Sequence, residues 1–148
     1  MKYSLVEYLL TITFPAQMER EMGIKTLTIG GEGSYTDSFE FNQSRDVYST
    51  TGDATGSWIH SKSMDRTGTA AISLSQVSNQ IVQLTRLFNL YYNSDVIDEG
   101  VTITLRDNSS KTIATCNDCF ITKVPAINIR ETPQNRTWTF TCGQIIIN

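Results

Sequence analysis

Alternation with a period of two runs through most of this chain, and it predicts a protein built mainly from antiparallel strands. Val6, Tyr8, Leu10, Ile12 and Phe14 fall on one face of a first strand, with Glu7, Thr11 and Thr13 on the other. Residues 24–29 predict a weaker second strand, closed by a turn at Gly30, Gly31 and Gly33. Ala70, Ile72 and Leu74 then alternate with Thr69, Ala71, Ser73 and Ser75, so that strand has one face of small, mostly polar side chains. Val101, Ile103 and Leu105 alternate with Thr102, Thr104 and Arg106, and residues 107–111 predict a hairpin turn into a strand over 112–124. Within it the apolar positions change parity at Asn117 and Asp118, with Ala114 and Cys116 before and Cys119 and Ile121 after, which predicts a β-bulge. Pro125 and Pro133 bracket a connection, because neither can donate to a central ladder. The last strand, over 136–147, is expected to put Trp138, Phe140, Cys142 and Ile146 on one face and Thr137, Thr139 and Thr141 on the other.

The period changes once. Val77, Ile81, Leu84, Phe88 and Tyr91 recur at three and four, opposite Gln80, Gln83, Arg86 and Asn89, and Ser78 stands where an N-cap would serve. A lone amphipathic helix in a β domain has to bury its stripe, so this one is expected to pack on a sheet.

One stretch fits neither pattern. Residues 34–67 are rich in Ser, Thr, Gly and Asp, with Tyr35, Phe39, Phe41, Val47, Tyr48, Trp58 and Ile59 spread thinly among them. They predict extended hairpin strands too poorly apolar to build a core, and a segment of that length inside a compact domain generally works outside it. The expected role is an arm that contacts another copy of the chain. Its candidate interface residues are Arg45, Val47, Tyr48, Trp58, Ile59, His60 and Arg66.

Composition narrows the field. The 148 residues fit one domain, 1–148, with the arm at about 34–67. The formal charge is −3 and the 12 basic residues are scattered singly, so no electrostatic footprint for gripping nucleic acid is visible. The N-terminal apolar residues are interrupted by Glu7 and alternate, unlike a signal peptide or a membrane span, and a soluble protein made in a cytoplasm is expected.

Candidate chemistry is thin. Cys116 and Cys119 form a CxxC, Cys142 lies on a later strand, and His60 would complete a tetrahedral zinc set. Residues three apart on a strand face opposite sides unless the bulge reorients them, so Cys116 and Cys142 read instead as small core side chains and no metal is expected. Catalysis has no support: there is one His, and no nucleophile elbow, metal-protease motif or phosphate loop. The pairs Asp98 with Glu99 and Glu19 with Glu21 sit beside turns as solvated charges. No cofactor is implied. Trp58 with Tyr48 would serve a carbohydrate-binding β-sandwich module, the alternative from another class.

The order of elements, together with residues 68–74 (GTAAISL), then Asn79, Ile81 and Leu84, then 101–107 (VTITLRD), 121–125 (ITKVP) and 136–140 (RTWTF), resembles the tail tube proteins of contractile-tailed bacteriophages. The resemblance is best from about residue 56 onward. It implies a mainly β fold, a two-sheet β-sandwich or barrel with one flanking helix and a long arm, assembled as six-fold rings stacked into a hollow inner tube. It also implies a structural virion protein, not an enzyme, that conducts DNA without binding it. The implied partners are further copies of itself, a tail sheath protein, and baseplate and tail terminator proteins, with assembly in the host cytoplasm and no membrane insertion. The tube of a type VI secretion system or of a headless contractile particle is the near alternative.

Overall fold

The computed structural model describes residues 4–31, 34–94 and 97–148. Across these the chain runs β1 (Leu9–Thr13), α1 (Ala16–Met22), β2 (Thr26–Gly30), β3 (Thr36–Gln43), β4 (Tyr48–Gly52), β5 (Trp58–Lys62), β6 (Gly68–Ser75), α2 (Gln80–Asn93), β7 (Val101–Arg106), β8 (Thr112–Ile121) and β9 (Asn135–Ile147), after one short 3-10 turn at Leu5–Glu7. Seven strands hydrogen-bond into one antiparallel sheet in the order β2-β1-β7-β8-β9-β6-β3, and β4-β5 form a separate two-stranded sheet. The large sheet curls into a half-barrel. Such a sheet, apolar on one face, encloses that face by coiling with the normal strand twist, and bulges add to the bend.

The alternation decides which face is inside. Leu10, Ile12, Leu27, Ile29, Ala70, Ile72, Leu74, Val101, Ile103, Trp138 and Phe140 are all buried in one cluster, which the helices complete with Met18, Met22, Ile81, Leu84 and Leu87. The opposite face is a threonine lattice. Thr28, Thr11, Thr104 and Thr115 stand opposite one another across four strands, and Thr26, Thr13 and Thr102 form a second row.

Several expectations need correction in detail. The first strand begins at Leu9, after the 3-10 turn, and the side chain of Val6 and the whole of Gly33 lie outside the described residues. A second helix, α1, accompanies the expected one. It follows Pro15, buries Met18 and Met22 one turn apart, and ends at Gly23, whose φ of 76° is the left-handed cap and whose N–H donates to Glu19 O. Two buried residues in seven carry too little periodicity to be read as a helix.

In α2 the buried stripe is Ile81, Leu84 and Leu87, with Phe88 and Tyr91 only partly covered, while Val77 precedes the helix and is exposed. Asn79 immediately precedes α2 and makes no side-chain cap bond, whereas the Ser78 hydroxyl accepts from the Gln80 N–H at 3.4 Å and donates to Gln80 Oε1 at 2.6 Å.

The bulge is where the parity placed it. Val101 and Ile103 on β7 pair with Cys119 and Cys116 on β8, leaving one extra residue at Asn117–Asp118, and Asp118 takes a φ of 56°. The neighbouring strand switches parity alongside it. On β9 Cys142 is buried, Gly143 and Gln144 are exposed, and Ile145 is buried, so Ile146 points outward, contrary to the expectation from strict alternation.

Candidate assembly interface

The arm is shorter than its composition implied. Residues 36–43 form β3, an outer strand of the large sheet registered on β6, with Phe39 and Phe41 packed against the core. What leaves the body starts at Ser44, whose N–H donates to Thr67 O at 3.0 Å and closes the base. Arg45 Nε meets Asp65 Oδ2 at 3.3 Å there, and the Asp65 carboxyl, accepting from the hydroxyl and N–H of Thr67, is held below its ordinary range.

Beyond the base, β4 and β5 are exposed at every residue. Their register pairs Tyr48 with Lys62, Thr50 with His60, and Gly52 with Trp58 on one face, and Ser49 with Ser61 and Thr51 with Ile59 on the other. Of the seven candidate residues, Tyr48, Trp58 and His60 therefore share a face, with His60 Nδ1 2.8 Å from Thr50 Oγ1. Ile59 lies on the reverse face, and Arg45, Val47 and Arg66 stand at the base, where Val47 and Arg66 line a cleft of about 420 Å³ together with residues 144–147. Tyr48 and Trp58 sit at opposite ends of their face.

The tip is stiffened by one carboxylate. Asp53 Oδ1 accepts from Thr55 Oγ1 at 2.7 Å, Thr55 N at 2.9 Å and Ser57 N at 3.0 Å. The Thr55 hydroxyl and these backbone donors favour the ionised form and hold its carboxyl below the usual range. Trp58 and Ile59, 67 % and 69 % exposed, are thus held on a defined ribbon. Met64, 75 % exposed and two residues past the end of β5 toward the base, escaped the sequence reading, although a large apolar side chain between Ser63 and Asp65 was its visible signal.

The bulge brings Cys116, Cys119 and Cys142 to the same buried face, whereas His60 is out on the hairpin, so the four do not converge. Among the described residues no group of three or more His, Cys, Asp or Glu side chains is arranged to hold a metal ion. No helix among them is long and apolar enough to cross a membrane. A groove of about 840 Å³ runs between α1 and α2 and is lined by Gln17, Glu21, Val82, Arg86 and Leu90 among others.

A curled antiparallel sheet with a projecting hairpin is a fold shared with several solved structures. The chain is similar to a protein in an extracellular contractile injection system, PVC sheath/tube terminator in the extended state, with a TM-score of 0.60 at 11% identity, covering 100% of this chain and 97% of that one. It is similar to a protein in the PVC sheath-tube complex in the extended state, with a TM-score of 0.58, 13% identity and coverage of 99% and 91%. A third, in the six-fold symmetrised baseplate of the anti-feeding prophage, gives a TM-score of 0.56, 8% identity and coverage of 100% and 96%. At these identities the likeness concerns the fold. No curated protein matches the sequence. The profile described as bacteriophage PhiTE tail tube protein matches residues 17–148, and the chain belongs to that family. It is a structural component of a virion tail, with a tail tube role and no enzymatic one.

Proposed function

We propose that this chain, as one tube domain, forms hexameric rings that stack into a hollow tail tube, with residues 44–67 reaching from each ring to the next. The observation that carries this reading is a two-stranded hairpin exposed on both faces yet bearing Tyr48, Trp58 and Ile59. An isolated hairpin is marginal in water, so this one gains its order from a surface that covers it. A heterologous contact of this kind closes into rings or propagates along an axis. The outer strands β2 and β3 leave two edges to be paired between neighbours, which removes an aggregation hazard. The six-fold symmetry of the similar baseplate protein supports six as the ring number.

DNA passes through the lumen without specific binding. The threonine lattice opposite the core offers hydroxyls and few charges, with Arg106 at the end of β7, and a wall sparse in cations weakens the counterion-release attraction that would hold a phosphate backbone. Sheath, baseplate and terminator proteins are the partners, as the sheath–tube, terminator and baseplate contexts of the similar structures support. Assembly takes place in the host cytoplasm. The same contexts favour a second reading, the tube of a headless contractile particle, which the phage family match makes the less favoured one.

Electron microscopy of the purified chain tests the proposal. Rings or tubes are expected, and replacing residues 45–62 by a short flexible linker is expected to leave a folded body that no longer stacks. A strictly monomeric species at all concentrations would refute assembly, and tubes formed by the deletion variant would refute the role of the hairpin.

A further inference from the structure

Cys119 on β8 and Cys142 on β9 are direct cross-strand partners, 0 % and 1 % exposed, with their sulfurs 3.0 Å apart. Opposed residues in antiparallel strands have Cα atoms about 4.5–5.5 Å apart, inside the span that a disulfide requires. The pairing follows from the β8–β9 register, which stays in step from Asn117 with Gln144 to Cys119 with Cys142, and the bulge against β7 lets Cys119 share the core face with Cys116. Cys116 shares the cluster but is registered on Ile103 and Ile145, not on either thiol.

We propose that Cys119 and Cys142 close into a disulfide across β8 and β9 when the chain folds in the presence of a disulfide oxidant, with Cys116 remaining a free thiol. With glutathione disulfide, one of the two thiolates attacks a glutathione sulfur and expels the first reduced glutathione. The second thiolate then attacks the protein sulfur of the mixed disulfide and expels the other. Two protein S–H bonds and one glutathione S–S bond become one protein S–S bond and two glutathione S–H bonds, so the protein loses two electrons and the oxidant gains them. Contact with Cys116 and Cys142, reinforced by burial, holds the Cys119 thiol well above its ordinary range in the folded chain. Both thiols are sealed in the core once the strands have docked, so an oxidant reaches them while the strands are still open, and the bond forms during folding and resists reshuffling afterwards. It would clamp two adjacent strands in the middle of the seven-stranded sheet.

The test is refolding of the full chain in a buffer of reduced and oxidised glutathione, followed by alkylation and mass spectrometry. Cleavage before Asp118 separates Cys116 from Cys119, and cleavage after Lys123, Arg130 and Arg136 separates Cys119 from Cys142. One alkylated cysteine per oxidised chain is expected, with Cys119 and Cys142 in a linked peptide pair, and a Tm roughly 5–10 °C above that of the reduced chain. Cys116→Ser should keep the link, and Cys119→Ser and Cys142→Ser should lose it. Three alkylated cysteines at equilibrium with excess oxidised glutathione would overturn the proposal, as would a dominant link through Cys116. The wild-type peptide map decides both without relying on any variant.

Discussion

Trp58→Ala separates an interface residue from a folding residue more cleanly than any other single change. Trp58 is 67 % exposed and opposite Gly52, so in the isolated subunit its ring covers almost nothing. Truncation should change subunit stability by no more than about 0.5 kcal/mol, which corresponds to about 2 °C in Tm. In the tube the exposed part of the ring becomes buried. A tryptophan presents up to about 250 Å², so roughly 170 Å² would leave the water, which at about 25 cal/mol per Å² sets a ceiling near 4 kcal/mol per copy. Ordering costs take part of that, leaving about 2 kcal/mol. That is about a thirty-fold weakening of each contact, repeated around every ring junction. Thermal melts of the monomer and sedimentation of tubes over a concentration series measure the two numbers separately. A melt lowered by many degrees, or tubes appearing at the wild-type threshold, would refute the assignment of Trp58 to a partner surface.

Three further outcomes are expected. Gly68→Ala places a methyl carbon 2.5 Å from Asn42 O and 2.7 Å from Ile145 Cγ2, and should destabilise the body by about 1–3 kcal/mol in a denaturant titration, with no effect specific to stacking. Acidification should loosen the hairpin tip. The Asp53 carboxyl is lowered in the folded state, so its contribution is fully present above the ordinary carboxylate pKa near 4 and is lost as pH falls through the lower folded value. Hydrogen exchange at the Thr55 and Ser57 amides reads this, and protection unchanged by full protonation would contradict it. Assembled tubes and free subunits should show no measurable affinity for duplex DNA at physiological salt, and micromolar binding that weakens steeply with added salt would refute the passive conduit.

Periodicity in the residue order was enough to reveal the strands, the long helix and even the bulge at Asn117–Asp118, because burial on one face writes itself directly into alternation. It also marked the hairpin, since Tyr48, Trp58 and Ile59 stand in a stretch too polar to fold inward. What it could not reveal depends on neighbours distant in sequence. β3 reads as arm because its residues are mostly polar, and only its docking on Ala70 and Ile72 of β6 draws Phe41 and Phe39 toward the core. α1 is two turns with two methionines, a helix made by the core that it covers. Ile145 turns inward in place of Ile146 because β9 must follow the irregularity of β8, a constraint that travels through the ladder and leaves no trace in the local pattern. The meeting of Cys119 with Cys142 has the same origin: residues 23 positions apart become opposed only when two strands choose one register.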